Sequence, residues 1–332
     1  MRPIQLALAL LTLAMPATMA AGAETPTLNV LTYDSFAADW GPGPVLAKGF
    51  EETCSCKVHY VTAGDGAAVL ARLKLEGKKT TADVVVGLDT SLTGDAKATG
   101  LFAPTGLAPK NDLPVAFSDK TLLPYDWGWL AFVYNKSKVP NPPHSFPELA
   151  ASKLKVVIED PRSSTPGLGL VMWVKKAYGD KAPEIWRSLA DNILTVTPSW
   201  DAAYGMFTKG EADMVLSYTT DPAYQQIVEK ADTTGAAIFK EGQYMQVEVA
   251  GMVKTSKHPA LARQFLQFLL SQDFQKAIPT TNWMLPVVDI GADLPPAFHD
   301  LPKPTKALLL PSDQVAASRE AWIKEWLNVV GQ

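Results

Sequence analysis

Two cysteines and four histidines in 332 residues leave little for metal or nucleophile chemistry. A structural zinc site needs a spaced set of Cys and His ligands, and His59, His144, His258 and His299 form none. A nucleophile needs a base beside it, and no motif supplies such a pair. Cys54 and Cys56 stand two apart. A bridge between them closes a small ring, so a disulfide, a free pair and a redox pair all remain open. Charge is also sparse: 19% of residues are charged and the net charge is −4. A mildly acidic chain lacks the basic surface that nucleic acid demands. After residue 15 no apolar run approaches the roughly twenty residues of a membrane span, and there is neither an internal repeat nor a low-complexity tract.

What is present begins with a leader. Arg2 precedes an apolar run at 6–15, and residues 16–23 are mostly small, the order of a secretory signal peptide. Cleavage frames fit Thr18-Met19-Ala20 and Ala21-Gly22-Ala23, and neither is followed by a cysteine for lipid attachment. The expectation is a soluble periplasmic protein with its first 23 residues removed. Roughly 310 remaining residues exceed what one core usually holds, so two domains are expected.

Strand-like and helix-like segments then alternate, as in an α/β fold with largely parallel sheets. Strands are predicted at 28–33, 57–62 and 82–88, with helices at 44–52 and 67–76. The loops 34–43, 63–66 and 89–94 should therefore face one crevice. Residues 124–135, PYDWGWLAFVYN, are too aromatic and β-prone for a linker and read as a strand crossing to a second lobe. That lobe has strands at 155–159, 194–197 and 212–218 and helices at 167–178, 182–191 and 202–209. Residues 244–253 alternate like a returning strand, and helices follow at 259–270 and 312–330. The expected division is 24–128 with 250–332 as one lobe and 129–249 as the other, joined by hinge strands.

Five segments carry a more specific resemblance: TYDSFAADWGPGP (32–44), ADVVVGLD (82–89), EDPRSSTPGLGL (159–170), GEADMVLSYTTDPAY (210–224) and IPTTNWMLP (278–286). Together they resemble the thiamine-binding periplasmic proteins of ABC importers, across essentially the whole chain after the leader. ALARQFLQFLLSQDFQKAIP (260–279) is similar to a helix of many importer-linked binding proteins. The resemblance implies a two-lobed periplasmic binding fold of type II that encloses thiamine, thiamine monophosphate or thiamine pyrophosphate and does no chemistry. It implies no resident cofactor or metal, and partners that are the permease and ATPase subunits of an importer. A monomer is expected of a subunit that docks by both lobes. The ligand contacts it implies are Asp65, Gly66, Ser164, Thr165, Trp200 and the run Tyr218, Thr219, Thr220, Asp221, Pro222, with Tyr33, Trp40, Tyr224 and Trp283 as stacking walls.

The residues read consistently on their own terms. Ser163, Ser164 or Thr165 can cap a helix whose first position suits Pro166, and the free N–H groups there suit an anion. The start at 218–224 repeats that logic. Tyr33, Trp40, Trp200, Tyr218, Tyr224 and Trp283 are expected in loops or at strand ends, where aromatic faces can meet a flat cation. Trp173, Trp186 and one of Trp322 and Trp326 are expected in the core. Asp34, Asp65 and Asp126 are candidate partners for the thiazolium charge or the aminopyrimidine. Asp221 is expected to cap its helix through its side chain; if it does not, preference shifts from phosphorylated to free thiamine. Two other readings share the fold. A thiamine-degrading enzyme would need a nucleophile, and a ferric-ion receptor would use tyrosine phenolates, here separated as Tyr218 and Tyr224.

Overall fold

The computed structural model describes residues 25–108 and 110–330, so the leader predicted at 1–23 lies outside the described residues. The first half of the chain gives β1 (Thr27–Thr32), α1 (Asp34–Ala37), α2 (Pro42–Cys54), β2 (Lys57–Thr62), α3 (Gly66–Glu76), β3 (Val84–Asp89), α4 (Thr93–Ala98), β4 (Phe102–Ala103), β5 (Leu122–Asn135) and α5 (Phe146–Ala151). It continues with β6 (Val156–Glu159), α6 (Thr165–Tyr178), α7 (Ala182–Leu189), β7 (Ile193–Thr197), α8 (Trp200–Thr208), β8 (Met214–Tyr218), α9 (Asp221–Ile227), β9 (Thr234–Ala237) and β10 (Gln243–Val253). The remainder is α10 (Pro259–Leu269), α11 (Gln272–Gln275), α12 (Ile278–Thr281), β11 (Leu285–Pro286), β12 (Ala307–Leu308) and α13 (Ser312–Val330).

The strands pair in the order β2-β1-β3-β10-β5-β8-β6-β7. β1 lies parallel to β2 and β3, and β6 lies parallel to β7 and β8, giving two parallel half-sheets. Two antiparallel strands join them. β10 pairs with β3 and with the first part of β5, up to Trp129, and from Leu130 onward β5 pairs with β8 instead. A single 14-residue strand thus serves both lobes, which is why its sequence is aromatic throughout. Its side chains have packing partners on both faces along most of its length.

Local chemistry accounts for the elements. The β3 run VVVGLD is buried at every position, as a central parallel strand requires. Ser145, Ser199 and Ser271 cap α5, α8 and α11 through their hydroxyls, while Pro42, Pro166 and Pro259 stand in the first turns of α2, α6 and α10. The second lobe packs Phe132, Phe146, Trp173 and Phe239 into one aromatic cluster. Trp173, Trp186 and Trp326 are buried. Trp322 is partly buried, with the Lys175 ammonium 5.8 Å from its ring centroid.

Helix α13 packs on α4 and also on α6 and α7. It therefore contacts elements that follow β3 and elements that follow β6. Arg319 pairs with Asp95 of α4, and Glu325 with Lys175 of α6 at 3.1 Å. Cys54 and Cys56 are joined as a disulfide around Ser55, whose φ of 50° makes the tight turn. The native protein should accordingly take up no thiol-alkylating reagent, and should gain two adducts by mass once reduced and unfolded. One adduct pair without reductant would contradict the bridge.

Candidate functional site

The strand ends that the parallel order brings together open on one cleft of about 1000 Å³. β1 ends at Thr32, one residue before Tyr33, β6 at Glu159 and β8 at Tyr218, in keeping with the rule that ligands sit beyond the carboxyl ends of such strands. Of the sequence-predicted residues, Tyr33, Trp40, Asp65, Gly66, Thr165, Trp200, Tyr218, Asp221, Tyr224 and Trp283 line the cleft. Ser164, Thr219, Thr220 and Pro222 are buried behind that lining. Asp34 is exposed on α1 and does not face in, and Asp126 lies beneath the floor with no exposed surface.

The aromatic walls are arranged in two groups. Tyr224 and Trp283 meet edge to face, with centroids 5.0 Å apart and planes at 88°. Trp200 stacks on Tyr204 at 4.9 Å, and its indole N–H donates to the Ser217 hydroxyl at 2.8 Å. Trp40 stands at the rim, 50% exposed. The expectation that all six aromatics lie in loops or at strand ends fails for two of them. Trp200 opens α8 and Tyr224 lies within α9, because the short turns after β7 and β8 lead directly into helices whose first turns form the wall.

The two lobes touch across the cleft at the helix starts. Asp65, just before α3, accepts the Trp200 N–H of α8 at 3.0 Å. The Ala68 N–H reaches the Ser163 carbonyl at 3.2 Å, and a Cβ on Gly66 would stand 2.7 Å from the Thr165 methyl. The N-termini of α3 and α6 therefore converge, one from each lobe. Ser164 is the N-cap of α6 but makes no side-chain cap bond; its buried hydroxyl sits beside Asp65.

Carboxylates dominate the electrostatics. No Lys, Arg or His is among the described residues that line the cleft, whereas Asp65, Asp201, Asp221, Glu229 and Glu248 all do. Burial pushes the Asp65 carboxyl up to about 6, against the pull of the Ser164 hydroxyl and the Trp200 N–H. Burial likewise pushes Asp221 up to about 7, and drives Glu159, whose two oxygens have no partner, well above the ordinary range. Asp221 does not take the N-cap position expected of it. The N-cap of α9 is Thr220, whose side chain makes no cap bond, and Asp221 is the first helical residue. A side chain there tilts back toward the preceding strand, so its carboxyl meets the Ser217 hydroxyl and Tyr218 N–H while Oδ2 is left unpartnered.

Sequence reasoning missed Glu248 and Asn282. Glu248 is a charged residue inside an otherwise apolar buried strand, and that contrast was the available signal. Its Oε2 accepts the Tyr33 hydroxyl at 2.9 Å and also the Tyr125 hydroxyl. Asn282 donates to Asp126 at 2.6 Å and precedes Trp283, which holds a left-handed φ of 55°. Among the described residues no three His, Cys, Asp or Glu side chains are grouped to hold a metal ion.

These raised carboxyls fix a pH dependence. Each is more easily protonated folded than unfolded, where about 3.9 is usual, so its contribution is complete below about pH 4 and is lost as pH rises through 6 to 7. The ligand-free protein should be more resistant to urea at pH 5 than at pH 8, by a few kcal/mol. A midpoint that rises over that interval would contradict the burial of these groups.

Comparison with known proteins agrees with the fold. Residues 38–276 match the family described as bacterial extracellular solute-binding protein. The thiamine-binding periplasmic protein of Salmonella typhimurium is 52% identical over 310 residues, covering 92% of this chain and 94% of that one. A solved periplasmic thiamin binding protein superposes with a TM-score of 0.90 at 51% identity, covering 93% of this chain and 97% of that chain. A ferric binding protein from Campylobacter jejuni shares the fold at a TM-score of 0.75 and 22% identity, covering 91% and 99%. The chain is a two-lobed binding protein of type II architecture rather than an enzyme, and it belongs to the bacterial extracellular solute-binding protein family.

Proposed function

We propose that this chain is the periplasmic substrate-binding subunit of an ABC importer and that it encloses thiamine and its phosphate esters between its lobes. The observation that carries this reading is a cleft walled by aromatic rings, edged by carboxylates and free of basic side chains among its described lining. Such a cleft suits a flat ligand with a permanent positive charge. Relatives at half identity are named thiamine-binding periplasmic proteins, which supports the same ligand. Tyr33, Trp40, Trp200, Tyr218, Tyr224 and Trp283 supply the faces. The converging helix starts at Asp65–Gly66 and Ser164–Thr165 supply N–H groups toward a phosphate, with Thr219, Thr220 and Pro222 shaping the turn behind Asp221.

Asp221 does not cap its helix, and Asp65 and Glu159 lie close to the same end. Free thiamine should then bind more tightly than the monophosphate, and the pyrophosphate least tightly at pH 8. Ligand closes the protein by binding the closed form better than the open one, and a monomer presents both lobes to the permease and ATPase subunits. The leader at 1–23 exports the chain, and we place the lobe boundary in β5 between Trp129 and Leu130, where pairing passes from β10 to β8. The test is calorimetric titration of the unfolded and refolded protein with the three compounds. Dissociation constants below about 1 μM, or 8 kcal/mol, fit an importer subunit. A refolded protein that binds none of them overturns the ligand, and a preference for pyrophosphate at pH 8 overturns the order.

A further inference from the structure

Under the cleft floor the antiparallel register sets three carboxyls side by side on adjacent strands. Glu248 of β10 is paired with Asp89 of β3 on one side and with Asp126 of β5 on the other. Like charges directly opposite one another in a sheet are destabilising, and all three are buried. The register breaks at this row. Between Val249 and Ala250 the partner strand β3 has one extra residue, Gly87, and between Glu248 and Val249 the strand β5 has one extra residue, Tyr125. Bulges of this kind re-aim side chains next to sites. Of the three carboxyls, Glu248 is the one that lines the cleft.

The surrounding groups hold the row without neutralising it. Tyr33 and Tyr125 donate to Glu248, and the Asn282 amide donates to Asp126 at 2.6 Å while lying 3.4 Å from Glu248. The Tyr33 hydroxyl is also 3.2 Å from the Asn282 carbonyl oxygen, so its single proton chooses between them. Asp65 and Tyr218 face Glu248 from the cleft walls, and Arg319 of α13 acts on Asp89 from outside. Asp126 keeps one oxygen, Oδ1, buried without any partner. An ionised carboxylate left so exposed to its neighbour is untenable in a dry floor, and two carboxyls in contact share protons. Burial, reinforced by Glu248, holds the Asp126 carboxyl well above its ordinary range, and burial raises Glu248 as well.

We propose that Glu248, set beside Asp126 on the two hinge strands, is the counter-charge by which the cleft selects a cationic ligand over an uncharged one of the same shape, and that cation binding expels a proton from this pair. The inference rests on the thiamine reading and names the residue that reads the ligand's charge. A cation over Glu248 stabilises the ionised form, so the proton leaves to solvent as the ligand enters. Affinity for the cation therefore rises with pH across the range in which the pair titrates.

The test uses the refolded full-length mature protein, thiamine, and the neutral thiophene analogue in which the charged thiazolium ring is replaced. Calorimetry in buffers of unlike ionisation heat at pH 6, 7 and 8 counts protons exchanged. Wild type should prefer thiamine by about tenfold or more and release a fraction of a proton more with thiamine than with the analogue. Glu248→Gln should lose most of that preference, and Asp126→Asn should release less proton than wild type. Equal affinity of wild type for both ligands, undiminished preference in Glu248→Gln, or thiamine binding without proton release would each overturn the proposal. Asp65 and Asp221 also exchange protons, so the difference between wild type and Glu248→Gln is the decisive quantity.

Should the variants not fold, carboxyl-selective carbon NMR of the wild type reads the same event. The Glu248 and Asp126 signals should move toward the ionised position with thiamine and stay in place with the analogue; signals unmoved by thiamine would overturn the proposal. Binding of neither compound would remove the thiamine reading and this inference together. Equal binding of both would leave that reading standing and remove this inference alone.

Discussion

Trp283→Ala should weaken thiamine binding about 100-fold, close to 3 kcal/mol, and weaken both phosphate esters by the same factor. Trp283 lines the cleft with its ring held edge-on by Tyr224 at 5.0 Å, so truncation removes one ligand-stacking face and loosens the second. A cation over an aromatic face is stabilised by roughly 0.5–2 kcal/mol. Loss of apolar area at about 25 cal/mol/Å² over half a buried indole adds a similar amount. Tyr224→Ala should fall about tenfold, and Trp40→Ala only a few-fold, because Trp40 is 50% exposed at the rim and most of its ring is wet with or without ligand. Trp283 also packs with Ala223 and Phe298. Urea unfolding of each variant separates lost ligand contact from lost packing. Equal losses at Trp40 and Trp283 would mean that the ligand lies across the rim instead of between the Tyr224–Trp283 pair and the floor.

The alternation of strands and helices was legible to within two or three residues for most long elements. β2 and α13 fall where hydrophobic patterning places them, and β5 was read as a crossing strand from its aromatic density. The very short elements α1, α11, α12, β11 and β12 were not read. Two to four residues carry no period, and these segments are held by packing against long strands already in place. The aromatic side of the cleft was also legible, because Trp and Tyr after strand ends have few other reasons to be there. Its electrostatics were not. The capping role expected for Asp221 turned on one residue of helix phase: at the first helical position instead of the N-cap, the carboxyl points back to β8. Glu248 escaped notice because its significance depends on Asp89 and Asp126, which are 159 and 122 residues distant in sequence and meet it only through strand register. A charge inside an apolar run was the local half of that signal, and the sheet order was the missing half.

The bulge at Gly87 ties the floor to the wall, and Gly87→Ala should show it. Gly87 has a φ of 89°, and a Cβ there would lie 2.0 and 2.2 Å from two carbons of the Tyr33 ring. That ring cannot step aside freely. Its edge is against Phe36, with centroids 5.6 Å apart, and its hydroxyl is bonded to Glu248. Left-handed backbone alone costs an alanine about 1 kcal/mol, and overpacking of a fixed ring adds about 1–3 kcal/mol. Gly87→Ala should therefore lower unfolding stability by about 2–4 kcal/mol. Gly100→Ala isolates the first contribution: Gly100 has a φ of 68° and open space where its Cβ would stand, so its cost should remain about 1 kcal/mol. Displacement of Tyr33 also withdraws a donor from Glu248 and moves one cleft wall, so Gly87→Ala should weaken thiamine binding about tenfold while Gly100→Ala leaves it unchanged. Matching urea midpoints for the two alanine variants would mean that the Tyr33 ring does not rest on Gly87. A destabilised Gly87→Ala with wild-type affinity would separate the bulge from the site.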